Sequence, residues 1–441
     1  MANKRSKAFE SLSGAARLAA ALVTLVACSS CSYLDMMNRR AQWQSQFDRN
    51  PTQKLALRIA PEGVFAVEGT LPRADLPLLI TAIVRGTNEP VGAHVVVPTL
   101  GRYWLYLPAG TYDIFAFADI DGDGSFSANE LVGRSSVDAP VVVDPAHARD
   151  DYIVQGPHLA IDRHDPIDAG MSFTSRLGHE SSLRESLDDE IFDPKYGQMG
   201  LYDPVSLFVR NQGFVFGLEP FDPAKIQVLF VHGVAGTPRD FQYLVDGLDR
   251  TRFQPRFFYW PTGLPIDRIG QILARVIDLA AHDPQVRWKK FVVVSHSVGG
   301  LVAEAALRRV GDTDSAALKG YVSFVAAYGG SDAASRGVNS APVVIPSWRD
   351  IATGSEFLEG LSKRPFPRRV PLYLFFAWGT AKRNGPEQAG DGTISLRSQL
   401  DPRMQSEAFR LYGFAESHVG ILHNEAVREQ FVEILNSIAA H

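Results

Sequence analysis

Ser297 stands in the run Ser295-His296-Ser297-Val298-Gly299-Gly300, between the apolar stretch Phe291-Val292-Val293-Val294 and a helical pattern of Leu301, Val302, Ala305 and Val310. Gly311 then supplies a helix stop. A serine hydroxyl attacks usefully only when a neighbouring base takes its proton during the reaction. Holding such a serine on a tight strand-to-helix turn requires small residues two before and two after it. Larger side chains there would collide with the adjoining strand or helix. Gly299 meets that need, and Ser295 meets it with the next smallest choice after the commoner glycine.

A second cluster with chemical potential is Asp119-Ile120-Asp121-Gly122-Asp123-Gly124, continuing to Glu130. Acidic oxygens fall at the first, third, fifth and twelfth places, with glycine sixth for a sharp turn, as in a twelve-residue calcium loop. The preceding Tyr112–Ala118 alternates like a strand rather than a helix. The segment therefore resembles the Asp-rich loops between strands of secreted β-sandwich modules. That resemblance implies a structural calcium held by Asp119, Asp121, Asp123 and Glu130; an acidic hairpin without metal fits the same residues.

The cysteines suggest export. Lys4, Arg5, Lys7 and Arg17 form a basic start, and an apolar run from Leu18 to Ala27 follows that is too short for a permanent span. It ends in Leu25-Val26-Ala27-Cys28, which resembles the lipobox of bacterial lipoproteins. The resemblance implies a signal peptide over residues 1–27, cleavage before Cys28 and acylation there, giving stable membrane anchoring. Ser29 after Cys28 favours the outer membrane of a Gram-negative envelope by the same family rule. A plain signal peptide is the simpler alternative. Losing this leader's four basic and one acidic residues would take the formal charge from −5 to −8. The only other cysteine is Cys31, so the body of the chain offers no disulfide, thiolate nucleophile or cysteine-bound metal.

With 441 residues, 45% apolar and 21% charged, the chain has room for two or more ordinary packed cores. Its acidic balance gives no reason to expect nucleic acid as a partner. After a polar tether over residues 28–56, residues 57–156 carry short alternating runs: Leu78–Val84, His94–Val97, Tyr103–Leu107 and Tyr112–Ala118. Glycine and proline separate them, as in an all-β sandwich domain. Residues 157–204 are polar and aperiodic and read as a connector. Over residues 205–441, strand-like runs alternate with helical ones: Val228–Val231, Phe257–Trp260, Phe291–Ser295, Tyr321–Ala326, Leu372–Ala377 and Phe409–Tyr412. Helical spacing is clear at Ile266, Ile269, Leu273, Val276, Ile277 and Ala280, and again at Val427, Phe431, Ile434, Leu435 and Ile438. This pattern predicts an α/β fold, a mainly parallel sheet with helices on both faces, whose chemistry lies beyond the carboxyl ends of the strands.

At this point the chain resembles the α/β-hydrolase superfamily, and within it bacterial lipases and carboxylesterases, over roughly residues 220–441. If Val228–Val231 is that fold's third strand, Phe291–Ser295 is its fifth, Leu372–Ala377 its seventh and Phe409–Tyr412 its eighth. The resemblance places a nucleophile after the fifth, an acid usually after the seventh and a histidine after the eighth. Those places hold Ser297, Asp391 in Gly390-Asp391-Gly392, and His418 in Ser417-His418-Val419. Imidazole near neutrality can take and return the serine proton, and a carboxylate fixes its tautomer. The resemblance also assigns the oxyanion donors to the backbone N–H groups of Val298 and of Val234, which follows His232-Gly233. His423 competes with His418 but directly precedes Asn424, a candidate helix cap. Asp401 and Asp332 compete with Asp391. His232 and His296 read as structural neighbours that bond backbone. Residues 329–366 suit either a cap over the acyl pocket or an ordinary surface excursion.

The expected activity is therefore membrane-anchored hydrolysis of lipids or other carboxylic esters through an acyl-enzyme, with no cofactor for catalysis. Amide, thioester or acyl-transfer chemistry uses the same apparatus. A non-catalytic envelope-binding lipoprotein with the hydrolase fold as scaffold is the competing class. The sequence leaves oligomeric state open.

Overall fold

The computed structural model describes residues 64–440 apart from 73–77, 88–89, 97–100, 119, 121–125, 150–152, 163–182, 205–206, 208–213, 283–287, 312–315, 342–343 and 380–388. The expected leader, the tether, Cys28 and the three loop aspartates Asp119, Asp121 and Asp123 lie outside the described residues. Among those described, no helix is long and apolar enough to cross a membrane.

Eight strands make the first part: β1 Val64–Thr70, β2 Leu78–Val84, β3 Pro90–Val96, β4 Arg102–Pro108, β5 Gly110–Ala118, β6 Leu131–Arg134, β7 Val141–Val143 and β8 Ile153–His158. One sheet has the order β4-β1-β8, and the other runs β3-β2-β5-β6 with β7 paired to β5. All pairings are antiparallel except β1 with β8. In the first sheet Val67 lies opposite Leu105 and Phe65 opposite Leu107. In the second, Ile80 lies opposite Ala116 and Ala82 opposite Ile114. All eight are essentially fully buried and close a β-sandwich. Alternation also gives β1 and β4 a second face, and there Glu68 and the Trp104 ring meet Arg275 of the second part.

The second part is a seven-stranded sheet. Its strands are β9 Val215–Gly217, β10 Ile226–Val231, β11 Phe253–Phe258, β12 Phe291–His296, β13 Leu318–Phe324, β14 Leu372–Ala377 and β15 Ala408–Phe414. Their order is β15-β14-β13-β12-β10-β11-β9, parallel throughout except for the edge strand β9. This order, with β10 between β11 and β12, is that of the α/β-hydrolase fold. Strands β10, β11 and β12 are buried at every position, the signature of a sheet covered on both faces.

The described helices include α1 Pro194–Tyr202, α2 Gln242–Asp246, α3 Ile266–His282, α4 Gly299–Val310, α5 Asp332–Ser340, α6 Pro346–Ile351 and α7 Glu356–Leu361, then α8 Leu396–Gln399, α9 Pro402–Glu407 and α10 Glu425–Ala440. In α3, Ile266, Ile269, Leu273, Ile277 and Ala280 form the buried stripe. Gly270 on α3 lets α4 come close: a side chain there would sit 2.6 Å from the Ala305 Cβ. On the opposite side of the sheet Phe230, Phe324 and Phe375 join Phe431 and Leu435 of α10 in one core. The polar stretch before the sheet folds into that same core, contributing Leu187, Phe192 and Tyr196. Helices α5 to α7 occupy the region after β13. Asp350 of α6 accepts the N–H of Ile266 at 2.6 Å, which caps α3 from another element.

Candidate active site

The carboxyl ends of β10, β12, β14 and β15 converge on one constellation. Ser297, the residue after β12, has φ +56° and is 6% exposed. The left-handed region is sparsely populated by non-glycine residues and persists only where the surroundings over-determine it. Here the Ser297 N–H donates to the Phe324 carbonyl at 3.0 Å, so β13 holds the apex of the turn. Gly299 is required at the second position after it, since a Cβ there would run into the Val231 and His232 carbonyl oxygens.

His418 Nε2 lies 2.8 Å from Ser297 Oγ, and its Nδ1 lies 2.6 Å from Asp391 Oδ2. Asp391 is 2% exposed, and its other oxygen accepts the N–H groups of Thr393 at 2.8 Å and Ile394 at 2.7 Å. Two backbone donors on one oxygen leave the other oxygen of the carboxylate aimed at His418. The His418 N–H also donates to the Asp391 carbonyl at 3.0 Å, so the Asp391 and His418 loops are tied by backbone and side chain. With Nδ1–H donated to the carboxylate, Nε2 is free to accept the serine proton.

The two amides expected to face an oxyanion are left unbonded. Among the described residues, neither the Val234 nor the Val298 N–H has an acceptor within the protein. The Val234 loop reaches Ser297 because Gly233 carries no side chain; a Cβ there would stand 2.8 Å from Ser297 Cβ. Ala235 follows in a left-handed conformation, φ +53°, with its N–H bonded to Thr262 Oγ1 at 3.1 Å.

The rival residues are occupied elsewhere. His423 is exposed, with its ring 6.2 Å from that of Tyr243, and Asn424 beside it caps α10 by accepting the Val427 N–H. Asp401 caps α9 by accepting the Arg403 N–H, and Asp332 accepts the Thr353 hydroxyl in the first turn of α5. The two neighbouring histidines bond backbone. His296 Nε2 lies 2.9 Å from the His418 carbonyl and donates to it. His232 Nδ1 lies 2.9 Å from the Gly233 carbonyl, while its Nε2 accepts the Trp260 N–H at 3.1 Å. Burial holds both neutral, lowering His232 to about 4 and, with help from nearby His418, His296 to about 3. Tyr259 and Trp260 are themselves fully buried, and the Trp260 ring stacks on that of His232.

Two supporting features escape sequence reasoning. The first lies in the supposed connector. Arg239, just past the Val234 loop, donates to the carbonyls of Leu187 at 2.9 Å and Asp189 at 3.2 Å, and the Thr237 hydroxyl donates to that of Phe192 at 2.8 Å. Helix α1 presses on the loop so closely that a Cβ at Gly197 would strike the Ala235 carbonyl. The available signal was Gly197 and Gly200, three apart on one helix face. The second is a hydroxyl network around Ser295.

Glu130 of the acidic loop is described. One carboxylate oxygen accepts the Ile120 N–H at 2.8 Å; the other accepts the Ser127 N–H at 2.8 Å and its hydroxyl at 3.0 Å. It clasps the loop's exit as the capping partner of a short helix at Ala128–Glu130. The calcium expectation rests on the three aspartates outside the described residues.

No protein-family model and no curated protein matches the chain. Among solved structures it is similar to a mature lipase from Bacillus licheniformis, at 17% identity and TM-score 0.42 over 50% of this chain and 98% of that one. It is also similar to lipase B of Aspergillus fumigatus, at 14% identity and TM-score 0.38 over 52% of this chain and 56% of the other. An esterase from Pyrococcus furiosus matches at 14% identity and TM-score 0.34, over 49% and 83% of the two chains. The fold assignment stands on this chain's own strand order and nucleophile turn.

Proposed function

We propose that the protein is a serine hydrolase that cleaves carboxylic esters, lipids among them, through an acyl-enzyme. The observation that carries this reading is the continuous relay Asp391–His418–Ser297, at 2.6 and 2.8 Å, on a serine held in the left-handed region. In the first step His418 Nε2 takes the Ser297 proton as Oγ attacks the ester carbonyl carbon. The negative oxygen of the tetrahedral intermediate is received by the N–H groups of Val234 and Val298. As the intermediate collapses, the carbon–oxygen bond to the alcohol breaks and His418 returns the proton to that oxygen. Water then repeats the sequence on the acyl-serine, releasing the acid. Asp391 keeps the imidazole oriented and stabilises its cationic form throughout.

Hydrolysis of p-nitrophenyl esters of increasing acyl length tests this reading. Wild type should turn over at least one member of the series, and Ser297→Ala should reduce kcat by about 10⁴-fold or more while the thermal melt is unchanged. Equal activity in Ser297→Ala would remove the serine from the mechanism.

A further inference from the structure

Ser295 sits two residues before the nucleophile, where the turn commonly takes glycine. Its side chain is fully buried, so its hydroxyl needs a partner. That partner is Tyr321, whose Oη lies 2.8 Å from Ser295 Oγ. The same Oη lies 3.2 Å from the Gly300 carbonyl and donates to it. One buried phenol on β13 thus bonds the strand arm and the helix arm of the turn whose apex is Ser297. Behind it, Tyr328 Oη is 2.9 Å from Tyr321 Oη and donates to Ser323 Oγ at 2.7 Å. Ser323 and Tyr321 are fully buried and Tyr328 is 1% exposed, so water does not compete for these bonds. Burial raises the pKa of both phenols, which keeps their protons in the network.

The turn needs such support because an L-residue at φ +56° relaxes unless both flanks are fixed. Strand β13 provides it at two points: the Phe324 carbonyl holds the Ser297 N–H, and Tyr321 holds the residues on either side. We propose that Tyr321, acting through Ser295 and Gly300, is a positioning residue that staples the two arms of the nucleophile turn and fixes the attack geometry of Ser297. The proposal rests on Ser297 being the nucleophile. It also gives the serine that replaces the usual glycine a purpose, because glycine would leave the strand arm without a hydroxyl to bond.

The test uses the full chain as wild type, Tyr321→Phe, Ser295→Ala and the double variant. The readouts are the rate of fluorophosphonate labelling, and kcat and KM on a short acyl ester. Tyr321→Phe keeps the ring in the core and removes only the staple. It should lower the labelling rate and kcat by about tenfold while KM stays within about twofold. Ser295→Ala should lower both by about threefold, and the double variant should be no slower than Tyr321→Phe, since the two act through one contact. Labelling of Tyr321→Phe at the wild-type rate would reduce the network to a satisfied core cluster and overturn the proposal. Should Tyr321→Phe fail to fold, Ser295→Ala decides alone: wild-type labelling overturns the staple and slowed labelling supports it. A folded wild type that does not label at all overturns the nucleophile reading, and the staple falls with it.

Discussion

The β-sandwich and the parallel sheet both close on apolar cores, yet they treat polar groups in opposite ways. Among the described residues of β1 to β8 and their loops, the buried polar side chains are Thr81, Glu130 and Ser135. The parallel sheet and its loops bury many more, including His232, Gln254, Arg256, Ser295, His296, Ser297, Glu304 and Asp391. Backbone strain divides the same way. Among the described residues, the non-glycine residues with positive φ are Ala235, Ser297 and Val325, all just beyond the carboxyl ends of the parallel strands β10, β12 and β13. Val325 is the most telling, since a β-branched side chain at φ +44° is unfavourable in itself. Buried polar groups and left-handed residues both cost stability unless bonded in place. The left-handed residues gather at the carboxyl ends of that sheet's strands, together with the buried His232, Ser295, His296, Ser297 and Asp391 of the candidate site. Among its described residues the sandwich buries only those three polar side chains and holds no non-glycine residue at positive φ, and it packs on α3 through Glu68, Trp104 and Phe65.

This contrast can be broken most decisively at the base. His418→Ala should lower kcat by about 10⁴-fold or more, whereas His423→Ala, five residues on and exposed, should stay within about threefold. The reverse order would reassign the base and detach the relay from function. The sandwich offers the complementary case. Ile114→Ala, at a fully buried site, should cost about 2–5 kcal/mol in urea unfolding and leave the activity of folded molecules unchanged. A large loss of activity per folded molecule would instead give the sandwich a direct part in the site.

The smallest expected effect concerns acid. His232 and His296 have folded pKa values of about 4 and about 3, below the ordinary 6.5, so the unfolded chain binds their protons first. Stability from these two is intact above about pH 6.5 and is lost as pH falls toward the folded values, roughly 2 kcal/mol each by pH 5. Asp240 and Asp350 act in the opposite sense. Burial raises each to about 6, so the folded form binds the proton first and gains stability, roughly 1 kcal/mol each, as pH falls from 7 to 5. The histidines win, and the fold weakens in mild acid. Asp350→Asn keeps an oxygen for the Ile266 N–H but removes one of the opposing gains. Its loss of stability between pH 7 and pH 5 should exceed that of wild type by about 1 kcal/mol. An unchanged loss would mean that Asp350 does not titrate in that range.

The parts of the site that could be read from sequence were those set by repeating patterns. Continuous apolar runs such as Leu372–Ala377 announced strands buried on both faces, and counting them put Asp391 and His418 in the loops where they meet Ser297. Strand ends were less accurate. Tyr259 and Trp260 read as the end of a strand because they are apolar, but β11 stops at Phe258 and the Trp260 N–H turns to His232. The short strands β6, β7 and β9 have too few residues to show a period. Two supports stayed hidden because their cause is tertiary. Residues 187–202 look polar and aperiodic, yet their carbonyls are what Arg239 and Thr237 require. Ser295 looked like a tolerated departure from glycine until Tyr321, 26 residues later, was brought to it by the adjacent strand.

The central claim is that Ser297 is the attacking atom's residue, and covalent labelling with a fluorophosphonate, mapped by peptide mass spectrometry, addresses it directly. Wild type should carry the probe on Ser297 alone, and folded Ser297→Ala should carry none. Label on a different serine, surviving in Ser297→Ala, would contradict the account.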